Sequence, residues 1–489
     1  MERYTPNHIT KMDETQDINT SNEGGICTEY GSTSKTSEKK ILKLNEVYEM
    51  IGLGPSQYLY WLLTGLLAYS DYVELIILSV ILPSLTCEWD LTSSYETAVT
   101  VSVYGSYALF AVLIGPVADK YGRKTVTKWS TLFLLLAAIV GAASPNKWVF
   151  LVTRLLTGAC IGINLSCIIC YGTEFAESRY RVYGITVLLL SSALGIMLVS
   201  GAAFLALEKV GWRWFIIIAS LPAVPALVLM LALPDSPRFL SVSGKQDEAM
   251  HAVRLMAKLN GNDLPEDVHM ECSEDHENLG SISLIFSKDH KKSTVALSVI
   301  YFSNIFIEFG LLVLLPLLFI TQYCGATAAP EYKCQLLTQD DLMQLTIATA
   351  GTVFGVVAAM ICAQHIGRLM PIRVVSFLMM ISIGLMFVCV NETFTTAITT
   401  MAKITEGFVN TIVWFMIPES FPTNIRSTAT GFINGCGKIG GVLGTGSVYL
   451  LFYVSPYSVI GLFLLLSVVT FVGTVVYDRE TRYEVLKDI

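Results

Sequence analysis

The apolar positions of the chain gather into twelve long runs, near 57–84, 95–117, 127–144, 149–171, 182–206, 213–233, 294–321, 341–362, 372–390, 397–417, 428–452 and 457–477. Each run carries almost no charge. As a helix, each is long enough to cross a ~30 Å hydrocarbon core. A backbone exposed to lipid must satisfy its own hydrogen bonds, so every run is expected to be helical. Polar stretches set the boundaries. Residues 1–42 are rich in Ser, Thr, Glu and Lys and lack the apolar core of a signal peptide, so they read as a disordered tail. A charged stretch at 234–292 separates six runs from six, with an amphipathic helix expected at 247–258. The expected organisation is a six-helix bundle at 43–233, a linker at 234–292, a second six-helix bundle at 293–478 and a short tail at 479–489. The fold class is all-α, with twelve transmembrane helices in two bundles.

Composition agrees with a membrane location. Of 489 residues, 53% are hydrophobic and 15% are charged. Soluble domains are about 25% charged. A net charge of −8 gives no support for binding nucleic acid. Charge position is more telling than charge sum. Of the 32 Lys and Arg, four lie in one set of loops or at a span start there (Lys147, Lys209, Arg213, Lys333) and three lie within spans, clear of their first two positions. The other 25 lie in the tails and the alternate loops. The positive-inside rule then places both termini in the cytoplasm.

Several motifs carry no chemistry. The six His and 11 Cys are scattered without metal-ligand spacing, so no metal or cofactor is expected. Gly435-Cys-Gly437-Lys-Ile-Gly440 matches a dinucleotide fingerprint formally, but it lies inside an apolar helix, where glycines serve close packing. No Walker sequence supports ATP-driven transport, and no catalytic constellation supports an enzyme. Cys324 and Cys334 lie in the longest outside loop; an oxidising compartment would allow a disulfide between them, and two free thiols are the alternative. Asn391-Glu392-Thr393 fits a glycosylation sequon.

The two halves repeat. The first inside turn reads Gly115-Pro-Val-Ala-Asp119-Lys-Tyr-Gly122-Arg123-Lys124. A worn copy, Gln364-His365-Ile366-Gly367-Arg368, lies 245 residues later. At the same offset, Glu174 and Arg181 map onto Glu419 and Arg426, and Asp235-Ser236 maps onto Glu480-Thr481. Transporters are commonly built from such repeats, with the substrate near the midplane between them.

These residues resemble the major facilitator superfamily. The first inside turn resembles its signature between helices two and three. Pro234-Asp-Ser-Pro-Arg238 and Pro418-Glu-Ser-Phe-Pro-Thr423, with Arg426 and Gly431, resemble its motifs after helices six and ten. Within it, Asp71, Glu74, Leu78-Ser79 and Cys87-Glu-Trp89, with Cys324, Cys334, Leu336 and Asp341, resemble the synaptic-vesicle-2-related group. The chain departs from the pattern at Gln364, at Glu308 and at Glu406. The resemblance implies that Asp119 engages a helix terminus across the halves. It also implies a charge latch of Glu174, Arg181, Glu419 and Arg426 beside Gly115, Gly122, Arg123 and Lys124. The alternative is that these basic residues only mark the cytoplasmic face.

Seven ionisable residues lie within spans, clear of their first two positions: Asp71, Glu74, Arg154, Glu308, Lys403, Glu406 and Lys438. Charges at membrane depth are costly and face a cavity or a partner. Asp71 and Glu74 share one helix face and are candidates for proton or cation binding. Alternatively they neutralise Lys438 or Lys403. Lys403 and Glu406 are spaced to pair with each other. Arg154 lies near the outer end of its helix and is expected to snorkel to the interface. Tyr104, Tyr107 and Trp414 are candidate cavity liners.

The expected function is secondary active transport of a small organic ion, coupled to protons or another ion. A transporter-fold receptor or trafficking component is the alternative. The expected partners are that substrate, the coupling ion and the bilayer, with no nucleic acid and a monomeric state. The expected location is the plasma membrane or an intracellular vesicle.

Overall fold

The structure, a computed structural model, describes residues 40–480 except 43, 176–179, 263, 266–267, 271–281, 322–333 and 389. The expected disordered tail therefore lies outside the described residues but for its last three positions, and Cys324 lies outside them too. In chain order come β1 (Lys40–Leu42), α1 (Leu44–Ile51), α2 (Pro55–Trp89), α3 (Ser93–Leu113), α4 (Gly115–Tyr121), α5 (Arg123–Ala142), α6 (Lys147–Glu174), α7 (Arg181–Ser220), α8 (Ala223–Ala232), α9 (Pro237–Val242) and α10 (Gln246–Leu259). Then follow β2 (Val268–Met270), α11 (Ile282–Ile285), α12 (Lys291–Thr321), α13 (Gln339–His365), α14 (Leu369–Leu385), α15 (Glu392–Glu419), α16 (Thr423–Phe452) and α17 (Pro456–Val476).

Among the described residues, twelve membrane-crossing segments follow from these helices. Helix α7 is broken at Gly211, which takes φ +74°, a region that favours glycine. Its second part joins α8 as the sixth span. Eight helices are long and apolar enough by composition alone, and one of them, Tyr183–Ala232, holds two spans. The other three spans are α14, which is short, and α15 and α16, which carry charges and glycines. One feature departs from an all-α reading. β1 and β2 form a small parallel sheet that joins the start of the chain to the linker. The expected linker helix is present as α10.

Four spans that start on the same face have polar caps. Thr92 caps α3, Asn146 caps α6, Thr338 caps α13 and Asn391 caps α15. Each side chain accepts a backbone N–H that the first turn would leave unpaired. Asn146 and Asn391 stand 245 residues apart, the spacing of the repeat. The Asn391 side chain therefore serves its helix, with Phe394 N–H donating to Oδ1 at 2.7 Å.

Packing repeats in the same order. In the first half α2 packs on α7, and α3 and α5 pack on α6. In the second half α12 packs on α16, and α13 and α14 pack on α15. The halves meet reciprocally, α7 against α13 and α3 against α16. Small residues set the spacing. A Cβ at Gly158 would strike the Val103 carbonyl across α6 and α3, and one at Gly355 would strike the Ile404 carbonyl across α13 and α15. Association between helices in lipid depends on such close approach.

The disulfide expectation is corrected. Cys334 is bonded to Cys87, not to Cys324, across 247 residues of sequence. Cys87 stands at the end of α2 and Cys334 precedes α13, so the bond ties the two halves covalently. It lies on the face opposite the Lys/Arg-rich turns, since α2 ends there and α13 begins there. A protease site placed in the connection between β2 and α11 tests this. After cleavage, the halves are expected to migrate together on a non-reducing gel and separately with reductant. Cys87→Ser is expected to separate them without reductant. Separation of the wild-type halves under oxidising conditions would refute the pairing.

Candidate functional site

The intramembrane charges form two clusters. In the first half, Asp71 and Glu74 lie on α2, one helical turn apart, facing α6. Arg154 Nη1 donates to Glu74 Oε2 at 3.2 Å, and both side chains are essentially fully buried. The Ser220 hydroxyl donates to Glu74 Oε1. Arg154 therefore does not snorkel. It points inward over the Phe150 ring, 5.1 Å from its centroid, and supplies the cation that the sequence reading sought in Lys438 or Lys403. Asp71 has a different environment. Asn164 Nδ2 donates to its Oδ1 at 3.1 Å, while Oδ2 is buried without a partner.

In the second half, Lys403 Nζ donates to Glu406 Oε2 at 2.7 Å within one turn of α15, and both are fully buried. Glu308 on α12 lies within Coulombic reach of this pair, but its own Oε2 is buried without a partner. Lys438 on α16 is half-buried. Its Nζ donates to the Tyr107 hydroxyl at 2.6 Å and sits 3.9 Å from the Tyr107 ring centroid, a cation–π contact across the two halves.

Aromatic rings join the clusters. Glu308 lies within Coulombic reach of the hydroxyls of Tyr72, Tyr104, Tyr107 and Tyr301. Phe309 packs 5.1 Å from the Tyr104 ring, and Trp414 packs 6.2 Å from that of Tyr301. Two bases thus offset two acids, and Lys438 is held by a phenol. Among the described residues, Asp71 and Glu308 have no basic side chain in contact. Sequence reasoning missed Asn164, Asn304 and Ser220. The two asparagines carried a usable signal, because an amide in the middle of an apolar span needs a partner. Ser220 carried none.

The turns on the Lys/Arg-rich face repeat in arrangement. Arg123 pairs with Glu174, and Arg368 pairs with Glu419 through two bonds of 2.9 and 3.2 Å, a bidentate arrangement. Gly122 and Gly367 precede these arginines with φ +86° and +113°. A carboxylate covers each glycine. A Cβ on Gly122 would lie 3.1 Å from Asp235 Oδ2, and one on Gly367 would lie 3.2 Å from Glu480 Oε2. Glu480 also accepts the Arg368 and Leu369 N–H groups at 3.0 Å, capping α14 where its dipole favours an anion. Burial pushes the Asp235 carboxyl above its usual range, against the pull of Ser236 N–H, Lys124 and Arg123.

The remaining turn residues have local roles. Lys124 donates to the Leu233 carbonyl, and Gly115 opens α4. Asp119 is largely exposed and pairs with Arg123, one turn on, rather than reaching across the halves. Arg426 Nε donates to the Phe421 carbonyl at 3.2 Å. The Arg181 side chain lies outside the described residues.

The buried Glu74–Arg154 pair yields a direct expectation. Glu74→Gln or Arg154→Gln strands the partner's charge and is expected to cost about 3–5 kcal/mol. The double variant Glu74→Gln/Arg154→Gln is expected to cost less than the sum of the two. Unfolding of the purified protein in detergent measures both. Strictly additive losses would show that the two groups do not act as a pair.

Comparison with known proteins places this architecture. The family model of the Major Facilitator Superfamily matches residues 60–445. The Synaptic vesicle 2-related protein of Pongo abelii is 30% identical over 410 residues, covering 82% of this chain and 74% of that one. The protein of the same name from Xenopus laevis is also 30% identical, with the same coverage. Among solved structures, the xylose transporter XylE from E. coli in an inward-open conformation aligns with a TM-score of 0.65 at 16% identity. That alignment covers 88% of this chain and 98% of XylE. The chain is a multi-pass membrane protein and belongs to the major facilitator superfamily.

Proposed function

We propose that the protein is a proton-coupled transporter of a small organic ion, working by alternating access between its two halves. The observation that carries this reading is Asp71. It is fully buried, one of its oxygens has no partner, and its neighbour Glu74 is already neutralised by Arg154. A charged carboxylate without a cation is costly at this depth, and taking up a proton removes the cost. Asp71 is thus suited to be charged in one state and protonated in another. Glu308, Lys438 and the tyrosines line the boundary between halves, where the substrate would sit.

The contacts of α7 with α13 and of α3 with α16 supply the surfaces on which the halves rock. The Arg123–Glu174 and Arg368–Glu419 pairs, each within one half, keep the ends of each bundle together as the halves separate. The Lys/Arg-rich face is assigned to the cytoplasm, which puts the Cys87–Cys334 bond on the oxidising side. A vesicle or plasma membrane fits that polarity.

The test uses protein reconstituted in liposomes under an imposed pH gradient, with a panel of organic cations, organic anions and sugars. Gradient-driven uptake of one class is expected, and Asp71→Asn is expected to uncouple it while leaving exchange at equal pH. Uptake by Asp71→Asn that still follows the gradient would sink the coupling role. No uptake of any class by folded protein would remove the transport reading.

A further inference from the structure

We propose that Tyr301, Asn304 and Glu308 of α12 bind the ammonium group of a protonated organic amine. The inference rests on the transport reading and names what the same boundary between the halves takes. Positions 301, 304 and 308 follow one another at helical spacing and share one face of α12. Asn304 is fully buried, and neither its Oδ1 nor its Nδ2 has a partner. Glu308, one turn on, has a buried oxygen without a partner as well. Buried polar groups in folded proteins are nearly always paired, so three such atoms on one stripe mark a place for a ligand.

The charges nearby fix the sign of that ligand. Lys403, the base closest in effect to Glu308, is committed to Glu406 on its own helix. Lys438 is committed to Tyr107, through its hydroxyl and its ring. Glu308, like Asp71, is a buried carboxylate with no base in contact, and a bound ammonium would offset its charge as a proton would offset that of Asp71. An ammonium N–H can donate to Glu308 Oε2 and to Asn304 Oδ1. The rings of Tyr301, Tyr104 and Phe309 then favour a cation with apolar surface, since the electron-rich faces of aromatic rings attract cations. A bare metal ion fits less well. No group of three or more acids, His or Cys that could hold one occurs among the described residues.

A matched series of probes tests the class: phenethylamine, phenylalanine, hydrocinnamate and sodium ion. Binding to the purified protein is measured by calorimetry, and uptake of the same probes is measured in liposomes. Phenethylamine is expected to bind, with Kd raised tenfold or more in Glu308→Gln and several-fold in Asn304→Ala. Asn304→Ala carries the test alone if Glu308→Gln does not fold. Preferential binding of hydrocinnamate or phenylalanine, lost in Lys438→Gln, would overturn the amine class and leave the transport reading intact. A sodium-dependent signal without amine would overturn it too. Transport of other substrates by protein that binds no amine would also overturn this inference alone, whereas absence of all transport would remove the reading beneath it.

Discussion

Neutralising charge in a medium without water is the constraint from which the rest of this structure follows. Helix α2 carries two acids into the bundle, and α6 approaches it closely enough to bring Arg154 to one and Asn164 to the other. Helix α15 solves the same difficulty internally, with Lys403 and Glu406 a turn apart. Such pairs are not strong evidence of stability, since desolvating both members offsets most of their attraction. Their consequence is positional. Once each base is committed, Asp71 and Glu308 are the acids left with an oxygen unpaired.

The repeat gives the two halves the same internal ties. Offset by 245 residues, each half has a left-handed glycine, an arginine after it, a glutamate at the end of its fourth span and a carboxylate after its sixth. The chemistry has drifted, since Asp235 corresponds to Glu480 and Asp119 to Gln364. The geometry has not. A turn in which a carboxylate sits on a glycine Cα leaves no room for a side chain there, so both positions are held by packing as well as by φ. Polar contacts across the halves occur elsewhere: Lys438 with Tyr107 at mid-depth, and Tyr453 with Glu96 and Gln339 with Glu208 toward the disulfide.

Sequence reasoning reached as far as local patterns extend. Span number, the linker helix and the repeat were legible because each rests on periodicity or on a fixed offset. The Lys403–Glu406 pair was legible because it lies within one helical turn. The Glu74–Arg154 pair was not, because 80 residues separate its members and only the packing of α6 on α2 decides which way Arg154 points. The same limit misled the disulfide. Cys324 lies ten residues before Cys334 and was the natural partner by proximity along the chain, whereas the bond made is set by where α2 ends in space. The break at Gly211 and the pairing of β1 with β2 likewise depend on tertiary context.

The Cys87–Cys334 bond also has a consequence for biosynthesis. Cys87 emerges from the ribosome 247 residues before its partner. At ~5–20 residues per second, that interval is roughly 12–50 s. If the Lys/Arg-rich face is cytoplasmic, as proposed above, the Cys87 thiol waits throughout in an oxidising lumen while most of the membrane domain is still being made, open to capture by any other thiol that passes. Correct closure thus requires the second half to insert in register, which makes the bond a record that both halves have been assembled.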